Sequence, residues 1–225
     1  MKRLLLLLFF PLMVLAEPVT KSAVYMGIGG GVSILNGMDI NQNYYNYTVP
    51  NSPVTRQSIS QTFSLGGQAN IAIGYRFLYD YRTEFEVAYL TNSRSSDRVL
   101  PNGSNLLSSG HSDSTAFMIN AYYDFTSFSK LTPYLGGGLG CLINNSPYTD
   151  GQTDYSQVTN ATYFAYQGIA GFNYAFNQTV SGFIDYRRLG TGPKTVQYRS
   201  GDIQYDNAGQ QVIANLVTLG VIFEF

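Results

Sequence analysis

Two groups of residues in this chain carry side chains that could do chemistry. The first is His111-Ser112-Asp113-Ser114, which holds the only histidine of the 225 residues. An imidazole, a hydroxyl and a carboxylate are the parts of an activated nucleophile. Three side chains in one short segment, however, cannot converge on a single reacting atom. In an extended segment Ser112 and Asp113 also point to opposite faces. A polar segment end is therefore expected, and no catalytic residue is assigned. The second group is Arg76, Arg82, Glu84, Glu86, Asp124, Asp185, Arg187 and Glu224. Each falls on the polar side of a segment whose other side is apolar. Brought together, three arginines and five acids make a buried, hydrogen-bonded network, because unpaired charges at such sites are costly. The alternative is an ion path, since a charged lining also tunes conduction. Neither a metal-ligand cluster nor a phosphate-binding loop is present. Gly29-Gly30-Gly31 lies inside a strand pattern with no helix after it. No cofactor is expected.

The segments that must position these charges alternate with period two, the mark of strands with one apolar face. The last, Gln211 to Phe225, sets Val217, Leu219, Val221, Phe223 and Phe225 on one face. Ala23–Leu35 sets Val24, Met26, Ile28, Val32 and Ile34 on one face and Tyr25 and several glycines on the other. Thr62–Phe77 puts Arg76 on its polar face, Tyr81–Thr91 puts Arg82, Glu84 and Glu86 there, and Ser112–Phe125 puts Asp124 there. Pro133 to Asn144, Thr159–Phe176 and Thr179–Leu189 complete eight strands. Short links, near Leu78 to Asp80 and at Asn177-Gln178, alternate with long polar ones. The long ones are Asn36–Gln61, Asn92–His111, Asn145–Val158 and Gly190–Gly209, and all four read as loops. Asn102-Gly103 and Asp150-Gly151 are expected at their tips.

Lys2 and Arg3 followed by the apolar run Leu4 to Leu15 read as a signal peptide cut after Ala16, leaving residues 17–225 as one domain. The run is too short to span a bilayer as a helix. Without Lys2 and Arg3 the formal charge moves from −1 to −3, which argues against a nucleic-acid partner. Charged residues are 12 % of the chain, about half the usual share, while Gly, Tyr and Phe are abundant. A single cysteine, Cys141, rules out an internal disulfide. It is expected on the lipid side as a small apolar filler.

An even number of antiparallel strands, with long links at one end and short at the other, is the pattern of a transmembrane barrel. The aromatics agree, since Tyr75, Phe77, Tyr81, Tyr123, Phe125, Tyr174, Phe176, Phe223 and Phe225 lie beside the short turns, as an interfacial belt would. The expected fold is all-β, an eight-stranded antiparallel up-and-down barrel with four long extracellular loops. A soluble β-sandwich or lipocalin-like barrel is the alternative, with the outward aliphatics as its core.

The terminal Phe225, the aromatic Phe223, the segment Pro133-Tyr134-Leu135-Gly136-Gly137-Gly138 and the Gly27-to-Gly31 strand resemble the OmpA/OmpX/Opa group of small bacterial surface barrels. With no peptidoglycan-binding domain after Phe225, the likeness is to the OmpX- or opacity-type proteins. It implies a non-enzymatic surface protein in the outer membrane of a Gram-negative bacterium. It also implies that Phe225, with Phe223, is the signal read by the outer-membrane barrel assembly machinery. Outer-membrane lipids are the expected surroundings. The tyrosines Tyr44, Tyr45 and Tyr47, with asparagines between them, suit an adhesive patch for a host-cell or matrix ligand. A small pore and a lipid-modifying barrel enzyme are the alternative functions.

Overall fold

The computed structural model describes residues 23–225 except 78–79, 101–103, 107, 127–129, 151–154 and 201. The segment expected to be a signal peptide and the turn expected at Asn102-Gly103 lie outside the described residues, as does Gly151. Among the described residues every regular element is a strand. In chain order they are β1 (Ala23–Leu35), β2 (Met38–Asn46), β3 (Thr55–Phe63), β4 (Gly66–Phe77), β5 (Tyr81–Leu100), β6 (Ser104–Leu106) and β7 (Ser108–Asp124). Then come β8 (Leu131–Asp150), β9 (Tyr155–Ala175), β10 (Val180–Thr191), β11 (Lys194–Ser200), β12 (Ile203–Gln210) and β13 (Ile213–Glu224).

Eight of them close a ring. β1 pairs with β4, then β5, β7, β8, β9, β10 and β13 follow, and β13 pairs back onto β1, all antiparallel. Ring closure leaves no open edge, which is what a sheet in lipid requires. The stagger can be followed residue by residue. From Ile34 the partners run Asn215, Arg188, Gly168, Gly137, Ala121, Thr83, Tyr75 and back to β1 at Val24. One circuit thus descends ten residues along β1, so the strands are strongly tilted, as a closed barrel demands.

The outward face is apolar. Leu219 and Ile119 are 68 % exposed and Phe164 62 %, and they stand among many other exposed aliphatics and aromatics. In a soluble protein so wide an exposed apolar belt would drive aggregation; facing lipid it is the stabilising surface. Aromatic pairs ring the short-turn end: Tyr81–Tyr123 and Tyr123–Phe125 with centroids 5.2 and 4.9 Å apart, Tyr75–Phe77 and Tyr174–Phe176 both at 5.6 Å. Cys141 is a free, half-buried thiol.

The long links are where the structure departs from the sequence reading. They are sheet, not loop. Asn36–Gln61 folds into the hairpin of β2 and β3, and Gly190–Gly209 into that of β11 and β12. β12 pairs with β2 and β3 with the outer part of β5, so these strands form a continuous sheet above the ring. β8 and β9 have 20 and 21 residues, about twice the 9–11 that cross a bilayer, and stay paired from Leu131↔Tyr174 to Asp150↔Tyr155. The reason lies in composition: Gln, Asn, Ser and Thr stand at both alternating positions of β2 and β3, so these segments carry no strict apolar alternation, while their backbone groups still pair. The strand read as Thr62–Phe77 is also interrupted. β3 ends at Phe63 and β4 begins at Gly66, where a Cβ would collide with the Thr91 carbonyl of β5. Asn92 fastens the break by donating to the carbonyls of Ser33 (2.9 Å) and Ser64 (3.1 Å).

Candidate functional site

Alternation on the ring strands sends Arg76, Arg82, Glu84, Glu86, Asp124, Asp185 and Arg187 into the lumen, each 8 % exposed or less. They form two ionic groups. Toward the short turns, Arg76 bonds Asp124 and also Glu224 (3.0 Å), while Arg82 Nε donates to Asp124 Oδ1 at 3.0 Å. Farther out, Arg187 bonds Glu86 and reaches Asp185 at 2.9 Å with both Nε and Nη2.

Glu84 lies between the groups and takes its hydrogen bonds from neutral donors. These are the hydroxyls of Tyr25 (3.1 Å) and Tyr122 and the amide of Asn120 (3.1 Å). Tyr134 donates to Asp185 at 2.9 Å. The Arg82 guanidinium is held between rings, 4.1 Å from the centroid of Tyr122 and 4.6 Å from that of Tyr134, a cation–π sandwich. Asn120 also donates to Glu86 at 2.6 Å and accepts from Gln167 Nε2 at 2.7 Å, and Asn70 donates to Glu86 at 3.2 Å. Glycines make this density possible. A Cβ at Gly136 would enter the Tyr122 ring and one at Gly74 the Tyr25 ring. The narrow cavity between the groups, lined by Arg82, Glu84, Tyr122 and Arg187 among others, has room for about one water.

Above the charges the lumen turns apolar. Leu35, Leu90, Met118, Leu142, Leu189, Val212 and Leu216 pack there with Ala88, Ala116, Ala161, Ala165, Ala214 and Tyr163. Met118 and Leu142 are no more than 1 % exposed. Nothing in a single strand announces this collar, because its members are the inward residues just beyond the charged ones. The sequence reading sets Tyr25, Asn120, Tyr122 and Gln167 on the inward faces but counts neither them nor Tyr134 as members of the network. Most of them stand on the same inward faces as the charges, and that shared face is the signal that marks them.

The other candidate groups stand apart from the charged network. His111 Nε2 is 3.0 Å from Asp113 Oδ2 on the exposed side, while Ser112 is buried on the opposite face and accepts from Asn144 Nδ2 at 2.9 Å. The imidazole and hydroxyl therefore cannot act on one atom. Tyr44 and Tyr45 lie on β2, level with Tyr205 and Gln204 of β12. Successive strand residues point to opposite faces, so the expected single patch is divided: Tyr44 has one face of β2 and Tyr45 the other. Tyr47 opens the hairpin tip and is 44 % exposed. Asn46 stiffens that tip, its Oδ1 accepting from the backbone N (3.0 Å) and hydroxyl (2.7 Å) of Thr48. Phe225 is 79 % exposed, and its amide donates to the Val24 carbonyl at 2.9 Å, beside the seam of β13 and β1. Phe223 faces lipid on the same strand.

A ring of eight tilted strands with an apolar outside and a filled polar inside is the form of an outer-membrane protein, and residues 3–225 match the outer membrane protein beta-barrel domain. The chain belongs to that family. It is 24 % identical to the outer membrane protein PagN of Salmonella typhimurium, over the whole of both chains. In fold it is similar to Neisserial surface protein A (17 % identity, 90 % of this chain and 97 % of that one, TM-score 0.50). It is likewise similar to OprG of Pseudomonas aeruginosa (13 % identity, 93 % of this chain and 99 % of that one, TM-score 0.55). The protein is thus a component of a Gram-negative outer membrane, in contact with its lipids.

Proposed function

We propose that this barrel is a non-enzymatic surface protein whose outer sheet is a contact surface for a host-cell or matrix ligand. The observation that carries the reading is the sheet itself, in which β2, β3, β11 and β12 join the outer part of β5 beyond the lipid band. A hairpin already held in a sheet loses little conformational freedom on binding, so contacts made by Tyr45 and Tyr47 translate into affinity. Tyrosine supplies large, rigid, amphipathic area for such contacts. The packed lumen and the separation of Ser112 from His111 both speak against a pore or a nucleophilic enzyme. In this reading the barrel anchors and the sheet binds.

The test removes Gly37 to Ser60 and replaces Tyr45 and Tyr47 by Ala in a separate variant. Both are expected to keep the heat-modifiable migration of a folded barrel. The deletion should abolish attachment of bacteria to host cells or matrix, and the double substitution should weaken it at least tenfold. Unchanged attachment by both variants would remove the binding role from this hairpin. A His111→Ala variant is expected to leave the lipid A pattern the same as in wild type, and any loss of a modification would favour the enzyme reading.

A further inference from the structure

The lipid-facing side of the barrel carries one charge that the apolar band does not account for. Arg188 lies on β10 two residues beyond Tyr186, on the face that Ile184 and Tyr186 present to lipid, and it is exposed. Through Asn215 it stands level with Ile34, itself 48 % exposed on the apolar face. On the neighbouring strand it faces Gly168, and Tyr166 and Phe164 lie farther toward the outer rim than that glycine, 49 % and 62 % exposed. Arg188 is therefore inside the outer margin of the band, not above it.

Its neighbour Arg187 points inward and is neutralised by Glu86 and Asp185. Arg188 has no carboxylate partner among the described residues. Its partner is Asn215 Oδ1, which accepts from Nη1 at 3.3 Å and from the Tyr186 hydroxyl at 2.6 Å. Asn215 is turned for this task by donating its own amide to Asn36 Oδ1 at 3.0 Å. The result is a neutral polar platform that steadies a cation while leaving most of its N–H donors unused. Open space adjoins it, for a Cβ added at Gly168 would meet nothing within 4 Å.

We propose that Arg188, seated on Asn215, Tyr186 and Asn36, is a docking site for the phosphate of a phosphorylated glycolipid in the outer leaflet. A cation at the edge of hydrocarbon needs a counter-charge, and the leaflet beside it offers one. The guanidinium fork matches two phosphate oxygens at once, which an ammonium does not. The flat surface at Gly168 leaves room for the lipid to lie against β9. The site depends on residence in the outer membrane and is independent of what the outer sheet binds.

The test compares wild-type protein with Arg188→Met and Arg188→Lys after refolding with lipid A or with lipid A freed of its phosphates. Native mass spectrometry then counts retained lipid. Methionine suits a lipid-facing position, so Arg188→Met is expected to fold, as heat-modifiable migration will show. Asn215→Ala, which keeps the charge and removes its platform, provides a second comparison. Wild type should retain about fivefold more lipid A than Arg188→Met, the effect of one cation near a charged membrane surface. Arg188→Lys and Asn215→Ala should fall between. The phosphate-free lipid should be held alike by all four. Equal retention of lipid A by wild type and Arg188→Met would overturn the site. An equal preference of wild type over Arg188→Met for the phosphate-free lipid would also do so, because acyl packing alone would then explain it.

Discussion

At the scale of single residues, the lumen network shows why pairing matters more than charge. Arg187 is shared by Glu86 and Asp185, all three buried. Replacing Arg187 by Met leaves two carboxylates without their cation, and breaking a buried pair from one side costs about 3–5 kcal/mol. Urea unfolding in detergent micelles should show a loss of that order. The triple variant Arg187→Met, Glu86→Leu, Asp185→Leu removes the charges together and should be markedly less destabilised than the single one. Equal or greater loss in the triple variant would mean that the network contributes net stability beyond mutual neutralisation. The members of this network were legible in the sequence because inward positions follow from counting by two. Their partnerships were not. Arg76 meets Asp124 and Glu224 at separations of 48 and 148 residues, and only the stagger of the ring sets those distances. The neutral donors to Glu84 escaped for a related reason: a tyrosine on a polar face gives no hint of which acid it will reach.

At the scale of elements, strands with one face in lipid were readable, and the more polar strands beyond the ring were not. β1 and β13 alternate, and their burial pattern follows the same period except at the glycine run Gly29–Gly31 of β1. β2, β3, β11 and β12 are built of residues such as Gln, Asn, Ser, Thr and Tyr on both faces, so nothing in their hydropathy separates strand from loop. Their partners are fixed instead by backbone pairing that continues from the ring below. β13 gives rise to a prediction of its own. It closes the ring against β1 and β10, and Phe225, just past its end, makes one backbone hydrogen bond among the described residues, from its N to Val24 O. Deleting Phe225 therefore removes little folding energy. If the terminal aromatic is a signal for the assembly machinery, the deletion should lower outer-membrane yield in cells several-fold. In vitro refolding into lipid vesicles should be nearly unchanged. Normal yield in cells would count against a signalling role, and equal losses in both settings would assign Phe225 to stability alone.

At the scale of the whole molecule, the lumen is closed twice by unlike means. The inner closure is ionic and aromatic, with Arg82 clasped between Tyr122 and Tyr134 and Arg187 bound across to Glu86. The outer closure is the apolar collar around Leu90, Met118, Leu142 and Leu189, which water wets poorly. An ion would have to break paired charges in one layer and shed its hydration in the other. Planar-bilayer recordings of refolded protein should accordingly show no stable open level. Opening one layer should not suffice. Leu142→Gln with Leu189→Gln makes the collar polar and leaves the ionic layer in place, and Arg187→Ala with Glu86→Ala does the reverse. Each pair is expected to remain silent or to flicker, and only the four substitutions together should give sustained current. Steady conductance from the wild-type protein would overturn the closed-lumen account. Sustained current from the collar pair alone would show that the charged layer is no barrier and leave the collar as the seal.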